Sequence, residues 1–182
     1  LELDNTPIRD AGVIAALTQL MTLDMSGTEI SDVNSLAGLG NLLTLNLNST
    51  AISDLSPLAG LAKLTRLDLN DTPVETIDSL AEMTELTHLE IRGAHVNGVA
   101  ALANMTELVY LDLAQNRVSS IDSLAGLTKI RHLNLAGNQI NDITALASLA
   151  SLWYLDVKDN PISDIAPLTG LAKLGKLHIS QA

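Results

Sequence analysis

Among the side chains of this 182-residue chain that could do chemistry, carboxylates dominate, with four histidines and three aromatic rings beside them and no cysteine at all. One column of them recurs every 22 residues: Glu2, Asp24, Asn46, Asp68, Glu90, Asp112, Asn134, Asp156 and His178. Hydrolysis or group transfer needs groups that converge, such as a carboxylate pair, a nucleophile beside its base or a glycine-rich phosphate cradle. Acids spaced evenly along a ladder converge nowhere. The sequence therefore predicts no catalytic constellation, no enzyme and no cofactor, and it predicts that the acidic column is a solvated face on which Asp112→Ala would cost little. His88, His132 and His178 stand about two repeats apart, roughly 10 Å at a strand spacing of about 4.8 Å, too far for two of them to share one ion. A zinc site wants three converging ligands, and His132 with Asp112 offers two, so no metal site is predicted; His95 falls in a loop and is given no role. The lack of cysteine removes disulfides and thiolate chemistry and leaves the redox compartment open.

Recognition is the chemistry these residues do suggest. Tyr110 and Tyr154, the single Trp153, and His88 and His132 fall on or beside the same recurring segment, together with Arg66, Arg92, Arg131, Lys158 and Lys176. Tyr and Trp bring large contact area at low entropic cost and are enriched at interface hot spots. The expectation is a protein or peptide site on Arg66, His88, Arg92, Tyr110, Arg131, His132, Trp153, Tyr154, Lys158 and Lys176, centred on the aromatic residues. The competing reading has Trp153 packed under a neighbouring turn and the tyrosines as ordinary sheet residues.

The elements that must position these residues come from an internal repeat. Leucine occupies 1, 23, 45, 67, 89, 111, 133, 155 and 177 without an insertion or deletion, and aliphatic columns three residues before and two after it complete L-x-x-L-x-L. Around L-x-L, alternation sends Leu67 and Leu69 inward and Arg66, Asp68 and Asn70 outward, so one short strand per repeat stacks in parallel. Ile52, Leu55, Leu58 and Leu61 then follow at intervals of three, the period of a 3₁₀ helix. Asp32, Asp54, Asp142 and Asp164 precede these segments as caps for free backbone N–H groups. An alanine column from Ala15 to Ala147 suggests close approach of adjacent turns. Five residues after each reference leucine stand Thr6, Thr28, Thr50, Thr72, Ala94, Asn116, Asn138, Asn160 and Ala182, where a buried polar side chain serves backbone groups left over by a turn. Ala94 can do neither, and with Gly93, His95 and Gly98 around it the fifth loop is expected to be the least regular.

Charge divides the chain. Residues 1–91 carry three basic and fourteen acidic side chains, a net of −11, whereas residues 92–182 carry seven of each. The negative half disfavours nucleic acid and anionic membrane surfaces, and steers a partner bearing acidic groups towards the second half. No apolar run is long enough to cross a membrane, so no membrane insertion is predicted.

The pattern L-x-x-L-x-L-x-x-[TN]-x-I-S-D-[LI]-x-P-L, seen from Leu42 to Leu58 and from Leu152 to Leu168, resembles the 22-residue leucine-rich repeat of the bacterial internalin family, and the resemblance covers the whole chain. It implies an α/β solenoid: a right-handed, curved leucine-rich repeat array with a parallel β-sheet on the concave face and 3₁₀ or irregular segments on the convex face. It also implies a non-enzymatic recognition or adhesion module, secreted or on the bacterial surface, that binds a protein or peptide ligand through the concave sheet. The alternatives are an intracellular scaffold or regulatory subunit and a consensus-like sequence with no evolved ligand. Residues 1–182 read as one leucine-rich repeat domain of about eight repeats that begins and ends in mid-repeat. Neither the helical N-terminal cap nor the C-terminal immunoglobulin-like segment of the family is found, so end-to-end self-association through the open termini is a further expectation.

Overall fold

The computed structural model describes residues 1–180; Ala182, the last member of the Thr/Asn column, lies outside them. Eight three-residue strands, β1 (Thr22–Asp24), β2 (Thr44–Asn46), β3 (Arg66–Asp68), β4 (His88–Glu90), β5 (Tyr110–Asp112), β6 (His132–Asn134), β7 (Tyr154–Asp156) and β8 (Lys176–His178), form one open parallel sheet in sequence order. The sheet lines the concave side of a curved leucine-rich repeat solenoid. Every pairing is offset by one full repeat, Leu45 on Leu67 and Leu67 on Leu89, because a uniform 22-residue period leaves a single register that keeps all leucines on one face.

The opposite side of each turn is a 3₁₀ segment, from Gly12–Ala16 through Ser56–Leu58 to Ala166–Gly170, and among the described residues no other helix type occurs. The carboxylates read as caps act as such: the backbone N–H groups of Asn34, Ser56, Thr144 and Ala166 donate to Asp32, Asp54, Asp142 and Asp164 at 2.6–2.8 Å. Between strand and 3₁₀ segment the core is a stack of aliphatic layers. The reference leucines from Leu23 to Leu155 are fully buried, and Leu1 and Leu177 in the outermost turns are partly exposed.

The alanine column is largely solvent-exposed on the convex surface, where adjacent turns lie close together, Ser148 Oγ donating to Ala125 O of the turn before at 2.6 Å. Ala37 and Ala59 directly follow their 3₁₀ segments, whose leucines at intervals of three already fill the interior. One expectation is corrected: the fifth loop is as regular as the others. Positions 5, 27, 49, 71, 93, 115, 137 and 159 all take a left-handed backbone with φ between 54° and 69°, and Gly93 is the residue type best suited to it. His95 N–H donates to Val74 O at 2.9 Å, as Ala51 N–H does to Ile30 O two turns earlier at 3.0 Å. Ala94 is buried without polar work of its own, and Asn116 of the following turn takes over the backbone groups beside it, accepting from Val96 N–H and donating to Ile91 O.

Candidate functional site

The first outward position of each strand forms one continuous row, because the register pairs Thr22 with Thr44, Thr44 with Arg66, and so on through His88, Tyr110, His132, Tyr154 and Lys176. At a strand spacing of about 4.8 Å, flat side chains in such a row meet face to face. They do so here. The ring centroids of His88 and Tyr110 are 5.9 Å apart, those of Tyr110 and His132 4.3 Å, and those of His132 and Tyr154 4.1 Å, with interplanar angles of 15°, 10° and 1°. Tyr154 then meets His178 edge-on at 5.3 Å. The row ends in Arg66 on the acidic side, whose Nε donates to Asp68 at 2.9 Å and whose guanidinium donates to Glu90 at 2.8 Å. All these rings are half-buried and present their outer edges to the concave solvent.

The acidic column runs beside this row, and it is not the solvated face that spacing suggested. Asp68 and Asp112 are 5% and 8% exposed, short carboxylates sunk between rows of longer side chains. Asp112 accepts from Ala114 N–H at 2.9 Å and from the Asn134 amide at 2.9 Å. Asp68 Oδ2 takes Arg66, while its buried Oδ1 has no partner among the described residues, because Asn70 N–H is held by Asn48 Oδ1 at 2.6 Å. Burial pushes both carboxyls above the usual Asp range, against the hydrogen bonds that favour their charged forms. In Asp24 the balance reverses: burial raises it, but Ser26 and the Asn46 amide together hold it below the ordinary value. Burial keeps His132 below its ordinary value, opposed by the charges of Asp112 and Glu90. Burial, with Glu90 and Asp112 adding to it, raises the Tyr110 hydroxyl; burial and Asp156 raise that of Tyr154. The row is thus a stack of rings with hydroxyl and imidazole edges facing the solvent, bordered by acids.

The structure brings Arg66, His88, Tyr110, His132 and Tyr154 together and sets the other predicted residues apart. Arg92 and Lys158 lie two positions beyond the strand end, exposed, at the far edge of the sheet. Arg131 and Trp153 lie one position before the row, on the flank of the solenoid, where they line a hollow with Ser151 and Lys173. Lys176 starts in the row but its ammonium sits 5.2 Å from the centre of the Trp153 ring. Trp153 therefore belongs neither to the concave stack nor under a neighbouring turn: it is 50% exposed on the flank. The exchange of Tyr and His along one column carried the signal for stacking, and the invariant 22-residue spacing made it readable. Among the described residues no cluster of three or more His, Asp or Glu side chains is placed to hold a metal ion.

A model of leucine-rich repeats, two copies, matches residues 40–82 and 106–148. Internalin C2 of Listeria monocytogenes is 32% identical and superposes with a TM-score of 0.97 over 99% of this chain and 80% of its own. The chain belongs to the internalin family. A second internalin of that organism, InlF, is 29% identical with a TM-score of 0.87, over 98% of this internalin and 59% of its own length. The plant peptide hormone receptor RGFR1, solved in complex with RGF2, is 19% identical with a TM-score of 0.83 over 94% of this chain and 30% of its own; at that identity the fold alone is shared. No curated protein sequence matches.

Proposed function

We propose that this internalin is a non-enzymatic recognition module of a bacterial surface or secreted protein, and that it binds a protein ligand across the concave sheet of its second half. The observation that carries this reading is the parallel stack from His88 to Tyr154. Stacking fixes the rings before any ligand arrives, so little side-chain entropy is lost on binding, and pre-ordered aromatic surface is what hot spots are built from. The carboxylates beside the stack are engaged by backbone and amide donors and serve its geometry. The relatives support the reading: two are internalins of Listeria monocytogenes.

A display screen of extracellular domains against the intact chain tests it. Binders should lose at least about 2 kcal/mol of affinity to Tyr110→Ala/Tyr154→Ala and almost none to Thr22→Ala/Thr44→Ala, with thermal melts confirming that both variants fold. A binder whose protection footprint falls on the convex 3₁₀ side, with the tyrosines still solvent-exposed in the complex, overturns the assignment.

A further inference from the structure

Arg131, Trp153 and Gly175 occupy the same position of three successive turns, immediately before the strand residues His132, Tyr154 and Lys176. In the preceding turns that position holds Met21, Leu43, Thr65, Thr87 and Val109. Glycine occurs there once, and there the indole of Trp153 lies: a Cβ at 175 would overlap its Nε1 and sit 2.9 Å from its Cδ1. The ring is thereby laid along the solenoid over the next turn, half exposed, with the Lys176 ammonium 5.2 Å from its centre. Arg131, Ser151 and Lys173 line the hollow around it, with no carboxylate or carboxamide in the lining. Lys129, which precedes Ser151 by one repeat, is neutralised by Glu107. Arg131, Lys173 and Lys176 form no ion pair among the described residues.

We infer that this flank hollow docks an extended acidic segment of a partner protein, an apolar side chain resting on the indole between two carboxylates. In a chain of net charge −11, three uncompensated cations around the only tryptophan invert the local field and attract anions. The turns carrying Arg131 and Lys173 are two strands apart, roughly 10 Å, which an extended chain at about 3.3 Å per residue covers in three residues. The segment thus carries acids at i and i+3 with the apolar residue between them. A neutral sugar stacked on the indole would need amide or carboxylate partners for its hydroxyls, and the lining has none. This site is separate from the concave stack, and its failure would leave that reading intact.

A single tryptophan yields a single indole N–H signal in a ¹H–¹⁵N correlation spectrum, a direct reporter of the hollow. Titrated at low salt, the end-blocked peptide Glu-Leu-Ser-Glu should shift that signal saturably. The Gln-Leu-Ser-Gln peptide, and the Lys173→Gln/Lys176→Gln variant with the Glu peptide, should require at least tenfold more ligand. High salt, which shortens the Debye length to about 3 Å at 1 M, should abolish the shift. Gly175→Ala should move the resting signal and weaken binding several-fold, with unchanged leucine methyl dispersion showing that the core is intact. An equal response to both peptides, or no saturable shift in the folded wild type, overturns the inference. So does a heparin-derived oligosaccharide that moves the indole signal where the Glu peptide does not, since the ligand would then be a sulfated glycan.

Discussion

The two halves of this solenoid solve one problem with different side chains. After each strand the chain turns away from the sheet and leaves carbonyls and N–H groups inside. In the first half Thr28, Thr50 and Thr72 answer with one hydroxyl bond each, to the carbonyl three residues back in their own turn, at 2.7 Å. In the second half Asn138 donates to Leu135 O in its own turn and to Leu113 O of the turn before, while its Oδ1 accepts from Val118 N–H of that earlier turn. Asn116 and Asn160 repeat the arrangement. A carboxamide has donors and an acceptor on one planar group and can bridge turns, whereas the Thr hydroxyl in this column reaches only its own turn. The half that carries the aromatic row is therefore also the half in which the buried side chains of this column bridge successive turns. A recognition surface held to fixed geometry benefits from that rigidity.

Core substitutions set the scale for this comparison and should not discriminate between halves. Leu45→Ala and Leu111→Ala, both fully buried, should each cost about 2–5 kcal/mol in a denaturant titration. A large inequality would mean that the layers are packed differently and that the contrast is one of core density, not of turn chemistry. The next largest effect should separate the halves: Asn138→Ala strips three buried hydrogen bonds and should cost about 3 kcal/mol, whereas Thr50→Ala, losing one, should cost about 1 kcal/mol. Equal losses would remove the distinction.

The carboxylates of the concave face sharpen the same contrast at smaller size. Asp112→Ala orphans Ala114 N–H and the Asn134 amide and should cost about 1–3 kcal/mol, while Asp68→Ala should cost less than half as much. Asp68 already has one unpartnered oxygen, and Arg66 keeps Glu90. Thermal melts of the two variants under identical buffer decide the order. If Asp112→Ala were the cheaper, the carboxylate would be solvated, as its spacing alone suggested.

The smallest expected effect is one of pH. Burial between the tyrosine rings lowers the His132 pKa below 6.5, so the unfolded chain binds this proton more readily than the folded one. The stability tied to neutral His132 is complete above the ordinary histidine value, and it falls as acid takes the pH below that value towards the lowered one. Asp68 and Asp112, raised above 3.8, act in the opposite sense at lower pH, where protonation favours the folded chain. His132→Phe keeps a ring in the stack and should lose less Tm than the parent between pH 7.5 and pH 5.5. An identical loss in both proteins would clear the histidine of any part in it.

Much of the fold is legible in the sequence because its period is uniform. Once Leu23, Leu45 and Leu67 are aligned, the strand, the inward face and the parallel register follow, since no other pairing keeps every leucine in one layer. The caps at Asp54 and Asp142 were readable for a related reason: a carboxylate just ahead of a 3₁₀ turn has a free N–H within reach. The left-handed positions were written less plainly, as Asn5, Gly27, Ser49, Asp71, Gly93, Gln115, Gly137 and Asp159, because backbone conformation tolerates several short polar types. The candidate site was half legible. Column membership fixed Tyr110, His132 and Tyr154 on one row, since strand alternation decides the face.

What only the tertiary structure decided is how far each side chain sinks or swings once its neighbours are in place. Periodicity assigns a direction at Cα and nothing about depth, so Asp112 points to the concave side as its position requires and is nevertheless buried among longer neighbours. Trp153 adjoins Tyr154 in sequence, yet its ring lies on the flank because a glycine 22 residues later leaves room for it there. That space is made by residues on different turns, and sequence adjacency holds no record of it.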